Sequence, residues 1–106
     1  MYYDKRTEEV EAPAPVKLEP WQVALKDAAD VLRKYGWMKY MYGNRTVGFC
    51  AHGAINQATK DTAVRHEAKH HLRMFIGTNK IGTWNDRPEH TKEEVIAALE
   101  GAAKAG

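Results

Sequence analysis

The sequence predicts one small α+β domain that is mainly helical, with about four helices and one β-hairpin. A length of 106 residues suits a single domain. Apolar residues recur at helical spacing in several segments, which predicts amphipathic helices. One stretch of aromatic and β-branched residues is interrupted by a Gly-Asn pair, which is typical of a hairpin turn.

The first helix is predicted to begin at Pro20 and to end before Gly36. Proline suits the first helical position, and glycine suits the position just after the last turn. The hairpin follows, with predicted strands over 37–42 and 45–49 and a two-residue turn at 43–44.

Two helices are predicted in the middle of the chain. The first runs over about 50–59, and its small residues, with Gly53, indicate a close contact with another segment. The second runs over about 62–76 and is capped by Asp61 or Thr62. Its predicted inward stripe consists of Val64, Ala68, Leu72 and Phe75.

A linking segment over 81–86 and a final helix complete the prediction. Trp84 is expected to enter the core, while Asn85 and Asp86 satisfy turn amides. Thr91 and Glu94 have the spacing of a capping box, which marks the start of the final helix. The residues that this helix is expected to bury are Val95, Ile96, Leu99 and Ala102.

The chain divides into a predicted arm over residues 1–19 and a globular domain over 20–106. The arm is polar and punctuated by Pro13 and Pro15, so we expect it to be extended and flexible. Ordering of this arm on a partner would couple folding to binding.

Composition excludes several classes of protein. No apolar run approaches the ~20 residues that a membrane helix needs, and the N-terminus lacks the apolar stretch of a signal peptide. We therefore expect a cytoplasmic protein with no membrane partner. The net charge of +2 does not by itself indicate nucleic-acid binding. Cys50 is the only cysteine, which excludes an intramolecular disulfide and a four-thiolate zinc site.

His66-Glu67-x-x-His70 matches the HExxH string of zinc peptidases, in which two histidines ligate the metal and the glutamate activates water. The helical wheel turns both histidines away from the predicted apolar stripe. Neighbouring bases would also repel a divalent cation. We therefore expect a solvated helix face without a metal, and we keep a zinc-dependent hydrolase as an alternative.

Two surfaces are candidates for binding a macromolecule. The third helix carries a basic face of Arg65, Lys69 and Arg73, which could contact phosphates or an acidic protein surface. The predicted hairpin carries Tyr40 and Tyr42, and an exposed tyrosine face would suit a protein contact. The same tyrosines could equally pack under the first helix.

Cys50 stands where a strand meets a helix, and a helix N-terminus can lower the pKa of a thiol. A nucleophile paired with His52, His71, Asn85 or Asp86 is one interpretation. The neighbours of Cys50 are small and apolar, so we expect a packing role instead.

Several strings together resemble a family of small uncharacterised proteins from actinobacteria and their bacteriophages. The resemblance covers roughly residues 21–103 and implies a single, mostly helical domain of bacterial or phage origin. It brings no known activity, cofactor or catalytic residue. The strings that carry it are Gly36-Trp37, Cys50-x-x-Gly53-Ala54 and Trp84-Asn85-Asp86-x-Pro88-x-x-Thr91-x-Glu93-Glu94-Val95.

The sequence therefore favours a small accessory protein without enzymatic activity or cofactor, which binds another macromolecule. A protein partner is favoured over a nucleic acid. The alternatives are a zinc hydrolase that uses His66, Glu67 and His70, and a nucleic-acid-binding module that uses the basic third helix. The identity of the partner and the oligomeric state stay open.

Overall fold

The structure, a computed structural model, describes residues 17–105 of the chain. The predicted arm over 1–19 falls almost entirely outside the described residues and stays a prediction. Within the described part, the chain forms five helices and one two-stranded antiparallel hairpin, which confirms a small, mainly helical domain. None of the described helices is long and apolar enough to cross a membrane.

Helix α1 spans Pro20–Tyr35, as predicted, and supplies the central face of the core. Proline at the first helical position starts the helix, and the Glu19 amide donates to Gln22 Oε1 at 2.7 Å. Gly36 ends it with a φ of 102°. The buried residues of α1 are Trp21, Ala24, Leu25, Ala28, Ala29 and Leu32.

Helix α2 spans Ala51–Ala58, and helix α3 spans Thr62–Ile76. Asp61 caps α3 by accepting hydrogen bonds from two amides of its first turn, at 3.0 and 3.2 Å. The prediction that Phe75 faces the core is wrong, because the residue is 49% exposed. The ring lies over Gly101, where an added Cβ would collide with it.

Helix α4 spans Ile81–Asn85, and helix α5 spans Lys92–Ala105. The predicted linking segment over 81–86 contains this short helix, and the expected burial of Trp84 is confirmed. The capping box of α5 is confirmed, since Thr91 and Glu94 exchange hydrogen bonds of 2.9 and 3.2 Å. Helix α1 packs against α5, α2 and α3.

The hairpin is much shorter than predicted. Strand β1, Gly43–Asn44, pairs with strand β2, Gly48–Phe49, and the turn lies at 45–47. The predicted turn at 43–44 is therefore wrong. The side-chain oxygen of Asn44 accepts hydrogen bonds from two amides inside the turn, at 2.8 and 3.0 Å. These bonds favour a turn that follows Asn44 rather than one that contains it.

The predicted strand over 37–42 is irregular instead. Trp37 forms an isolated parallel bridge to Phe49, and the chain then bends through residues 39–41. This segment lies between α1 and the hairpin, and it contacts α2 and α4 through the hydrogen bonds described below.

Candidate functional site

Three consecutive large side chains form an exposed surface, which we call the tyrosine loop: Tyr40, Met41 and Tyr42. These residues are 77%, 59% and 61% exposed, so the structure decides between the two interpretations of the tyrosines in favour of exposure. Tyr40 has a φ of 72°, the left-handed region that residues with a side chain rarely adopt. Such a conformation costs about 1–3 kcal/mol and persists only where surrounding contacts enforce it.

Several contacts hold the tyrosine loop in this conformation. The amide of Tyr40 donates to Asp86 Oδ1 at 2.8 Å, and Lys39 Nζ donates to the carbonyl of Arg87 at 2.9 Å. The amide of Cys50 donates to the carbonyl of Tyr42 at 3.3 Å. The backbone of the loop is therefore fixed, while its side chains face outward.

Asn85 is the fully buried polar residue that joins this loop to the core. Its Oδ1 accepts from Trp37 Nε1 at 2.7 Å and from the amide of Ala51 at 3.0 Å. Its Nδ2 donates to the carbonyl of Met38 at 3.0 Å and to Asp86 Oδ1 at 3.1 Å. All of its hydrogen-bonding groups are thus used, as a buried amide requires.

The sequence-based expectation that Asn85 and Asp86 satisfy amides of their own turn is wrong. Both side chains reach across the fold to the segment over 38–51, which lies far away in the sequence. The contact between Asp86 and Tyr40 was missed altogether. The one sequence feature that pointed to Asp86 is the Trp84-Asn85-Asp86 string, on which the family resemblance partly rests.

A cavity of about 280 Å³ opens beside the tyrosine loop. One side is formed by the loop, and the other by the N-cap residue of α2 and by residues in and directly after α4. The lining residues are Tyr40, Met41, Tyr42, Cys50, Gly82 and Asp86.

Cys50 is the buried cap of α2, since its Sγ accepts from the amide of Gly53 at 3.3 Å. Burial raises the pKa of the Cys50 thiol above its usual range, and the charge of Asp86 adds to this effect. The amides at the helix start oppose the rise but do not reverse it. The thiol therefore remains protonated at neutral pH, as a packing residue does.

His52 stacks on Tyr42, with ring centroids 5.1 Å apart and planes 17° from parallel. Burial, followed by the charges of Lys69 and Arg73, lowers the pKa of His52 to about 4. Its buried Nδ1 has no hydrogen-bond partner among residues 17–105. The imidazole is therefore neutral at physiological pH and serves as a flat support for Tyr42.

The basic face predicted on α3 is partly engaged inside the chain. Arg65 donates to the carbonyls of Asn56 and Thr59, both at 2.6 Å, and Lys69 Nζ donates to Asn56 Oδ1 at 2.7 Å. The carbonyls at the C-terminal end of α2 attract such cations. Burial, together with Arg65 and Arg73, lowers the pKa of Lys69. Arg65 and Lys69 therefore stabilise the contact between α2 and α3.

The HExxH string lies on α3 with both histidines exposed, on the side that the helical wheel predicts. His66, Glu67 and His70 all face solvent. Within the part of the chain that the structure describes, no three side chains of metal-binding type lie together.

A family model described as a family of unknown function, DUF6197, matches residues 18–105. The chain belongs to this family. No curated protein and no solved structure matches the sequence significantly.

The DUF6197 match spans α1 to α5 and so includes all three strings on which the resemblance rested. The match and the resemblance both indicate a family without known activity. A bacterial or phage origin stays a prediction. The tyrosine loop, Asn85 and Asp86 all lie inside the DUF6197 match.

Proposed function

We propose that this DUF6197 domain is a protein-binding module and that the tyrosine loop is its contact surface. The observation that carries the proposal is Tyr40, which is highly exposed, adopts a left-handed conformation and is held there by Asp86. Backbone strain that the surrounding structure maintains is typical of functional positions. The Tyr40 side chain is itself exposed, so it gains no core packing in return for this strain.

The composition and rigidity of the loop both support this proposal. Tyrosine and methionine are enriched where proteins contact one another, and a few aromatic anchors supply most of the binding energy. A loop that is already fixed loses little conformational entropy on binding. His52 stacked behind Tyr42 adds to this fixation.

A nucleic-acid role has weaker support, because Arg65 and Lys69 already bind carbonyl and amide oxygens of residues 56–59. The proposal includes no catalytic step, metal or cofactor. We place the module in the cytoplasm of an actinobacterium or of a phage-infected cell, as an accessory protein. The actinobacterial or phage origin is supported by the sequence resemblance, and the cytoplasmic placement by the absence of a long apolar run in the sequence.

Capture experiments with the full chain test the proposal. The bait is wild-type protein or the triple variant Tyr40→Ser, Met41→Ser, Tyr42→Ser, exposed to a lysate of an actinobacterium. We expect a specific protein on the wild type and at least about tenfold less of it on the triple variant, since aromatic anchors dominate such contacts.

The matched control is the double variant Val23→Ser, Met74→Ser, which removes exposed apolar side chains outside the loop. This control should retain the partner at the wild-type level. Retention of the same partner by the loop variant, or equal loss in both variants, would show that the loop is not the contact surface.

A further inference from the structure

We infer that the cavity beside the tyrosine loop receives a lysine or arginine side chain of the protein partner, an inference that rests on the proposed function. The cavity combines an aromatic and apolar wall with a single carboxylate. These are the two features that a long, cationic side chain recognises.

The aromatic and apolar wall of the cavity suits both the methylene chain and the charged group of a lysine or arginine. Tyr40 and Tyr42 line the cavity, and the faces of tyrosine rings attract ammonium and guanidinium groups. Met41 offers a polarizable, adaptable contact for methylene groups. Lysine and arginine bury their stems along apolar surface while their charged heads seek polar partners.

Asp86 supplies the charge complementarity. Its Oδ1 accepts the hydrogen bonds from Tyr40 and Asn85, whereas its Oδ2 makes no hydrogen bond or ion pair within residues 17–105. One carboxylate oxygen is thus committed to holding the loop, and the other can accept from a ligand. A charge-assisted hydrogen bond to a carboxylate is stronger than one between neutral groups. An anionic ligand would instead be repelled by Asp86.

Two bases close to the tyrosine loop or to Cys50, Lys39 and Lys69, are engaged outside the cavity. Lys39 donates to the carbonyl of Arg87 and lies 5.4 Å from the ring of Trp37. Lys69 binds Asn56. Neither Lys39 nor Lys69 lines the cavity. The site therefore presents a carboxylate and two aromatic rings to a cation from outside.

The test uses two small probes on the ¹⁵N-labelled full chain, Nα-acetyl-lysine methylamide and its norleucine counterpart, which lacks the ammonium group. We expect the lysine probe to shift the amide signals of Tyr40, Gly82 and Asp86 and to bind at least about fivefold more tightly than the norleucine probe. Asp86→Asn keeps an acceptor for the Tyr40 amide but removes the charge, so it should reduce lysine affinity by a similar factor. Glu93→Gln removes one exposed carboxylate from α5 and should leave that affinity unchanged.

Equal binding of the two probes to the wild type would overturn the inference, as would no shift of these amides by the lysine probe. Wild-type affinity in a folded Asp86→Asn variant would also overturn it. These results are distinguishable from failure of the proposed function. If the triple loop variant loses its partner but the lysine probe does not bind, the loop remains the contact surface and only the cation site is wrong. If the probe binds but the loop variant keeps its partner, the proposed function fails.

Discussion

Replacing Asn85 with alanine is expected to lower the free energy of unfolding by about 3–5 kcal/mol. The substitution leaves two donors without an acceptor, the buried amide of Ala51 and the partly buried Trp37 Nε1 group. It also removes the donor that serves the carbonyl of Met38. Each buried polar group left unpaired costs about 1–3 kcal/mol, and water cannot easily replace a fully buried amide. Urea unfolding of both proteins measures the difference.

Asn79→Ala is the matched control, because Asn79 is an exposed asparagine in the link between α3 and α4. Its effect should stay within about 0.5 kcal/mol, as expected for a surface substitution. A loss below about 1 kcal/mol for Asn85→Ala would show that the buried amide does not hold the tyrosine loop to the core.

Gly53→Ala is expected to lower the free energy of unfolding by about 2–4 kcal/mol, although alanine is the better helix former. A Cβ at this position of α2 would collide with the backbone carbonyl of Tyr42. The obstacle is backbone rather than a flexible side chain, so either α2 or the tyrosine loop must move. Urea unfolding of the wild type and of Gly53→Ala measures this difference.

Gly82→Ala is the control for this second prediction. Gly82 lies in α4, and an added Cβ would have no atom within 4 Å. This variant should be unchanged or more stable, by up to about 1 kcal/mol, because alanine favours a helix. Equal stability of the Gly53 and Gly82 variants would contradict the close approach of Tyr42 to α2.

The helices could be predicted because their ends depend on neighbouring residues. Pro20 and Gly36 delimit α1, and Thr91 and Glu94 begin α5, each through a contact within one turn. The close contact predicted at Gly53 is confirmed for a similar reason, since glycine inside a helix pattern is costly without a packing need.

The hairpin was mispredicted because two local signals compete at 43–44. A Gly-Asn pair favours a two-residue turn, but the Asn44 side chain caps the following amides and shifts the turn to 45–47. Gly43 is used for a different purpose, since a Cβ there would collide with the carbonyl of Gly48 across the strand pair. Sequence alone does not show which of these uses prevails.

The site itself was only partly predictable. Tyr40 and Tyr42 were recognised as candidates by residue type, but their support comes from Asn85 and Asp86, 34–48 residues away from the groups they bind. Local patterns carry no information about such pairs. The same limit applies to Arg65 and Lys69, whose charge was evident but whose contacts with α2 depend on how α3 packs.

The central claim is that the exposed Tyr40, held in a strained conformation, serves binding rather than folding, and the Tyr40→Gly variant tests it most directly. Glycine adopts a φ of 72° without strain. The loss of this backbone strain should offset the greater conformational entropy that glycine gives the unfolded chain. We predict a change in the free energy of unfolding below about 1 kcal/mol. We also predict at least a tenfold loss of affinity for the captured partner by titration calorimetry, roughly the effect of one aromatic anchor. Unchanged affinity in this variant would contradict the claim, as would a large loss of stability.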